Sequence, residues 1–539
     1  MMKDLYALYK YEISENEDLT IDFVLLYNGV KIKTIHNLTP ITEQNISDFI
    51  KGEVLNFDHT IFLDARVFNT FEEINNRKIQ IENSVFICND GIDLHGHEFH
   101  EEVIFQNCIF VDGEGINFTN SIFEHGLVLE NCKFYVLDIA FNDSVIKKEF
   151  LFKKNEFYGK SIQFLNTEIF SKRFILSDSI FNCEEFNFAF SKFHDSKINF
   201  SKNHYECKRL GFRRVDFEHS TLDLKRSEFE DTDINFNETI MKEGKINMKF
   251  STFDNSKVFF KNADLGSSEL TFSSIYYNSG EFNFEQTKAG SILFDRSELN
   301  GYIDLRVLEV DHIDLSNTII RDVVDLDAGF YEVKIKSMLF TGTRLLGRFI
   351  MDWKKNQVHS FIMAQKDTSI QEKADQFNLL KENFRTNGQY NDEDRAYVSF
   401  KRLELNAEIA RIPKYGWFKG TWTSVAATLQ KIVYDGMGLY GTDPLRVLIS
   451  MFVVYFGFTL GYYALELSNM GDLINSVGVV DGPNDWQKAM YHSAITFLTI
   501  GYGDFYPTGI CRGLSIAEGW AGLFMMAYFT VAFVRKILR

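Results

Sequence analysis

An apolar residue recurs at every twelfth position across a long stretch of this chain: Phe152, Phe164, Leu176, Phe188, Phe200, Phe212, Leu224, Phe236, Met248, Phe260, Phe272 and Phe284, without an exception. A second series keeps step with it, running Phe157, Ile169, Phe181, Phe193, Tyr205, Phe217, Phe229, Met241, Phe253, Leu265 and Tyr277. Two residues before each member of the first series stands another apolar side chain, such as Phe150, Ile162, Phe186, Ile198, Leu210, Ile234 and Ile246. That apolar-x-apolar pattern is a short strand with one buried face. Two residues before most members of the second series stands something small, such as Thr167, Ser179, Ser191, Ser227, Thr239 and Ser251, with Val215 and Ile275 as exceptions. Small side chains suit a tightly packed corner.

A unit of this size cannot bury its apolar face alone, but stacked copies can. The sequence therefore predicts an all-β parallel β-helix, or solenoid. Looser copies, Phe57 with Phe62, Phe105 with Phe110 and Phe118 with Phe123 before it and Leu305, Leu315 and Leu326 after it, extend the region over residues 53–340. Twelve residues would hardly enclose stacked phenylalanine rings, so two units, roughly 24 residues, are expected per turn, with a rise of about 4.8 Å. Cys183 and Cys207 then fall on adjacent coils. The five-residue step within each unit resembles pentapeptide-repeat proteins. The alternation of five and seven departs from their uniform step and argues against a square cross-section.

The C-terminal fifth is of another kind. Val447 to Leu465 carries no charge and is long enough to cross a bilayer's hydrocarbon core. A second apolar run, Gly519 to Val534, is flanked by Arg535, Lys536 and Arg539 and reaches upstream to about Gly513 if Glu518 lies within it. A carboxylate there is expected to face protein or water rather than lipid. Asn484 to Leu498, between the two, is too polar and too short to span. It opens on an N-cap candidate, Asn484, and leads directly into Thr499-Ile500-Gly501-Tyr502-Gly503-Asp504. Gly501 and Gly503 allow backbone angles that a side chain would hinder, which successive carbonyls need if all are to face one axis. Thr499, Ile500, Gly501 and Tyr502 would each offer a carbonyl to an ion, with the Thr499 hydroxyl as the innermost ring.

Residues from about Pro444 onward resemble the two-transmembrane potassium channel family, most specifically in Thr496 to Asp504 and Tyr506-Pro507. The resemblance implies an all-α pore of two helices and a re-entrant pore helix, with potassium at Thr499, Ile500, Gly501 and Tyr502. It also implies a filter completed by Gly503, bracing by Asp504 and Thr496, and a homotetramer. Gly519 and Gly522 are candidates for the family's flexible inner-helix glycine, close helix packing being the other reading of both. Where the family often has a polar or acidic residue this chain has Ile495, and where it has a second threonine this chain has Leu498. Tyr491 is then a candidate partner for Asp504.

Between solenoid and membrane, Ser369 with Glu372 makes a capping box, and Ile370, Phe377, Leu380 and Phe384 share a helix face up to Asn387-Gly388. A second helix runs from Asn391 toward Pro413. The hairpin would couple solenoid to pore, cap the solenoid's open end, or both. Trp417 to about Val433 has Trp422, Val425, Leu429, Ile432 and Val433 at helical spacing, which suits a helix lying on a membrane surface or an ordinary packed one. The expected domains are 1–52 (N-terminal cap), 53–340 (solenoid), 341–440 (helical linker) and 441–539 (pore).

The net charge of −18 belongs almost wholly to the part before the pore. Acidity disfavours nucleic acid as a partner and leaves a cytosolic ligand or protein on the solenoid open. Lys and Arg flank the pore unit and are sparse between its helices, so both termini are expected in the cytoplasm of a multi-pass plasma (inner) membrane protein. MMKDLYALYKYEISENEDL lacks the order of a secretory leader. No catalytic constellation stands out, so no enzyme and no cofactor are expected, potassium being the permeant ion. His95 and His97 read as solvated turn residues, and the six cysteines as reduced thiols. The rival reading is a membrane-tethered scaffold whose pore region only oligomerises the solenoid. A solenoid mimicking nucleic acid is a third reading, which the membrane anchor disfavours.

Overall fold

The computed structural model describes residues 5–42, 46, 54–64, 67, 74–414, 416–476, 478 and 483–538. Part of the expected 1–52 cap and Arg539 lie outside them. The chain divides into two compact units, Met1–Lys366 and Asp367–Arg539.

The first unit is a parallel β-solenoid. A 13-stranded sheet begins at Val54–Asp58 and ends at Lys334–Leu339, one strand per turn. Phe181 pairs with Tyr205 and Cys183 with Cys207 in parallel register, 24 residues apart, so the coil has the expected length in this stretch. The period-12 series therefore splits between two sides. Phe164, Phe188, Phe212, Phe236, Phe260 and Phe284 form one stack, with neighbouring ring centroids 4.7 to 5.3 Å apart. That spacing is the distance between paired strands, so each ring lies on the next, and stacked pairs add about 0.5–1.5 kcal/mol to the burial of the rings themselves.

Four ladders run along the coil, which corrects the expectation about its cross-section. One turn reads Arg173–Ser177, then the two halves of Ile180–Asn187, then Lys192–His194, each paired with its own neighbour in the turns before and after. Two sides carry two inward residues each, as Ile162 with Phe164 and Phe174 with Leu176 do, whereas the other two carry one, Phe157 and Ile169. Counted from the last inward residue of one side to the first of the next, the step is five throughout: Phe152 to Phe157, Phe157 to Ile162, Phe164 to Ile169 and Ile169 to Phe174. The apparent seven comes from the doubled sides, not from a different number of them.

The small residues at the corners explain themselves through hydrogen bonding. Thr167 donates its hydroxyl to Phe141 O (2.8 Å) and its backbone N–H to Ser191 Oγ (2.9 Å), while Thr239 donates to Phe212 O (2.8 Å) and Ser251 to Leu224 O (3.1 Å). All four are buried. Each hydroxyl meets a backbone group that the turn leaves outside the ladders, a net gain of about 1 kcal/mol per bond. Elsewhere the left-handed turn residues Asn83, Asn107 and Asn131 pass an amide ladder from coil to coil, at 3.0 and 2.7 Å.

The N-terminal strands Tyr9–Glu15 (β1), Ile21–Tyr27 (β2) and Val30–Ile41 (β3) form an antiparallel meander. The end of β3 pairs in parallel with Thr60–Phe62. Ile21, Phe23 and Leu25 pack against the outward side chains Val85, Ile87, Ile109 and Val111, and Tyr9 stacks on Tyr135 at 3.9 Å. The meander thus covers a flank of the coil as well as its first turn. At the other end, strands continue to Arg348–Ile350, and the short helix α1 (Val358–Met363) follows with Val358, Phe361 and Ile362 buried. Asn356 donates to Leu326 O at 2.8 Å, which ties the approach to α1 to the coil's last turns.

The second unit is helical. Helices α2 (Ile370–Thr386) and α3 (Tyr390–Arg411) form the expected hairpin, with the Ser369/Glu372 capping box in place and Gly388 in the left-handed region at the turn. Phe377, Leu380 and Phe384 are buried, whereas Ile370, the first residue of α2, is exposed. Helix α4 (Trp417–Gln430) passes into a π-helical turn, Lys431–Gly436, and its Trp417, Phe418, Trp422, Val425 and Leu429 all face outward. Then come α5 (Pro444–Leu467), α6 (Asp485–Phe497) and α7 (Cys511–Ile537). Of these, α5 and α7 are long and apolar enough to cross a membrane, and less than a quarter of each apolar window is buried within the chain.

Candidate functional site

Helix α5 begins on a built stop: Asp443 accepts the Arg446 backbone N–H at 3.1 Å, and Pro444 takes the first helical position, where no N–H is needed. At 24 residues it is about 36 Å long, enough for the hydrocarbon core. Helix α6, at 13 residues, is about 20 Å long and cannot span. Its N-terminus is a full capping box, Asn484 Oδ1 accepting from Gln487 N–H at 2.8 Å and Gln487 Oε1 from Asn484 N–H at 3.2 Å. Tyr455 of α5 donates to Met490 O at 3.2 Å and holds α6 alongside.

The segment after α6 folds back on the helix end. Thr499 N–H donates to Thr496 O (3.0 Å), and Ile500 N–H to Ile495 O (2.8 Å). Thr499, Gly501 and Gly503 have φ of 56°, 63° and 77°, whereas the alternate residues Ile500 and Tyr502 do not enter the left-handed region. The segment is exposed in the single chain, with Tyr502 at 72%, and nothing lies within 4 Å of where a Cβ would stand on Gly501 or Gly503. Beyond it, Phe505–Pro507 pairs antiparallel with Leu473–Asn475, and Ser476 N–H donates to Asp504 O at 2.8 Å.

Of the residues expected to brace this segment, Asp504 accepts from Phe505 N–H at 3.1 Å and has Tyr491 as an electrostatic partner. Thr496 Oγ1 lies 3.4 Å from His492 Nε2. The two candidate hinge glycines differ. A Cβ on Gly522 would overlap the Phe497 carbonyl at the end of α6, whereas Gly519 has open space around it, and α7 runs unbroken through both.

Sequence reasoning missed a polar cluster between the three helices. Glu518 is fully buried, as a carboxylate within an apolar helix requires, and accepts hydrogen bonds from Tyr462 of α5 (2.8 Å) and Ser493 of α6. Ser515, one turn earlier, lies 2.9 Å from the Tyr462 hydroxyl and 2.8 Å from His492 Nε2. The signal was present in the spacing: Ser515, Glu518 and Gly522 stand three and four apart, on one face of α7. Also unforeseen, the last turn of α7 meets α3: Arg535 lies 3.0 Å from Asp394, and Lys536 3.4 Å from the same carboxylate.

A family model described as "Ion channel" (Ion_trans_2) matches residues 447–539, the stretch from α5 through α7. That similarity, with the two long apolar helices, supports an ion channel domain in a membrane protein, and such a domain is consistent with oligomeric assembly. No curated protein and no solved structure matches the chain.

Proposed function

We propose that the chain is one subunit of a homotetrameric, potassium-selective channel, with Thr499 to Gly503 as its filter. The observation that carries this reading is the alternation of backbone handedness at Thr499, Gly501 and Gly503, directly after a helix too short to span. Alternating handedness turns successive peptide planes so that Thr499, Ile500, Gly501 and Tyr502 can offer their carbonyls on one side. One such strand supplies a quarter of each oxygen ring, and four copies complete the cage that replaces a potassium ion's water. The C-terminal end of α6 would add its partial negative charge at the ion path. Asp504, Tyr491 and Thr496 brace the segment from behind. In this reading Gly522 is a packing residue and Gly519 the candidate bend in α7.

The charge flanks of α5 and α7 favour both termini in the cytoplasm of a plasma (inner) membrane. The outward apolar stripe of α4 then lies in the membrane surface. Regulation by the solenoid would pass through the α2–α3 hairpin, since α3 is tied to the last turn of α7. The test is flux into liposomes holding the purified chain, with potassium and sodium compared. Potassium-selective flux supports the channel, and no flux of either ion favours a membrane-tethered scaffold.

A further inference from the structure

We propose that Glu518 is a positioning residue for conduction, the buried tie that fixes α6 against α5 and α7 and so sets where Thr499 begins. The proposal rests on the reading of Thr499 to Gly503 as a filter.

Burying a carboxylate in the middle of a membrane helix costs several kcal/mol unless its oxygens are matched. Here both are. Oε2 accepts from the Tyr462 hydroxyl of α5 at 2.8 Å, and Oε1 from the Ser493 hydroxyl of α6. One side chain thus joins all three helices. The residues a turn to either side act on the same target. Ser515 lies 2.8 Å from His492 Nε2, and the backbone at Gly522 rests against the Phe497 carbonyl. The face of α7 formed by Ser515, Glu518 and Gly522 therefore grips the last two turns of α6.

From there the contacts run on to the filter. His492 Nε2 lies 3.4 Å from Thr496 Oγ1, and the Thr496 carbonyl accepts the Thr499 N–H at 3.0 Å. A filter selects by placing oxygens around an ion of one size or field, so a small rotation of α6 is felt at Thr499 before it is felt as unfolding. The apolar side chains of Ile495 and Leu498 bring no hydrogen bonds to this end of α6, so the side-chain tie from α7 carries more of its placement.

The test uses purified full-length variants in liposomes, with elution volume as the measure of assembly and the potassium-to-sodium permeability ratio as the readout. Glu518→Ala is expected to elute as wild type and to lose at least tenfold in the ratio. Glu518→Gln keeps the shape, accepts from Tyr462 and can donate to Ser493, and is expected to stay within threefold of wild type. Tyr462→Phe and Ser493→Ala each remove one donor and are expected to lower the ratio two- to fivefold. A wild-type ratio in assembled Glu518→Ala overturns the proposal. If that variant does not assemble, a wild-type ratio in both Tyr462→Phe and Ser493→Ala overturns it. A wild-type chain with no preference for potassium instead overturns the filter reading, and the proposal with it.

Discussion

The Arg535 guanidinium, in the last turn of α7, lies 3.0 Å from the Asp394 carboxylate and 4.6 Å over the ring of Tyr397, both in the first two turns of α3. The contact joins complementary helix ends, an acidic first turn in α3 and a basic last turn in α7. Asp394 is about nine-tenths buried and Arg535 three-quarters, so the pair is less screened than a surface bridge.

If that clasp sets the position of the inner-helix end, Asp394→Asn and Arg535→Gln will change potassium flux in the same direction. Each change should be several-fold, and the double variant should go no further than the larger single, a coupling of about 1–2 kcal/mol. Liposome flux on the four proteins checks it. Independent, additive effects would contradict it.

The two glycines of α7 should separate cleanly. Gly522→Ala places a methyl on the Phe497 carbonyl, an overpacking that costs about 1–3 kcal/mol and should lower both the melting temperature and the flux. Gly519→Ala meets open space and should leave melting unchanged or raise it, by up to about 1 kcal/mol in stability. Thermal unfolding of the two variants in detergent measures the difference.

In the solenoid, Phe212 lies between Phe188 (5.3 Å) and Phe236 (4.7 Å) and is fully buried. Phe212→Ala should destabilise the coil by about 3–5 kcal/mol. Because each coil touches only its neighbours, the loss should be local and show as a new protease-sensitive site near residue 212 in the full chain.

Much of this architecture was legible because repetition averages out local ambiguity. The twelve-residue phase of Phe164 through Phe284 needed only one further step, the room required by stacked rings, to give the 24-residue coil, and Cys183 opposite Cys207 bears that out. The cross-section was misread because Ile162 and Phe164 count as one side, which spacing alone does not reveal. The caps at Ser369 and Asn484 were readable as local chemistry, and the structure has both. The partners of Glu518 were not readable. Tyr462 is 56 residues away, and a hydrogen bond over that separation has no periodicity to betray it. Nor was the Arg535–Asp394 pair, 141 residues apart.

Cys183 and Cys207 are buried, and burial together with the contact between them pushes the Cys183 thiol well above its ordinary range. A thiol-alkylating reagent at neutral pH should therefore label neither residue in the folded chain and both after denaturation, as mass spectrometry would record. Rapid labelling of the native protein would mean that the coil opens there.

The most direct test is the reversal potential of the wild-type chain in a planar bilayer with potassium on one side and sodium on the other, alongside Gly501→Ala. Carbonyl rings at Thr499 to Tyr502 predict a reversal far from zero on the potassium-selective side for wild type, and loss of that selectivity or of current in the variant. A wild-type current reversing at zero, or one that Gly501→Ala leaves unchanged, would contradict the filter.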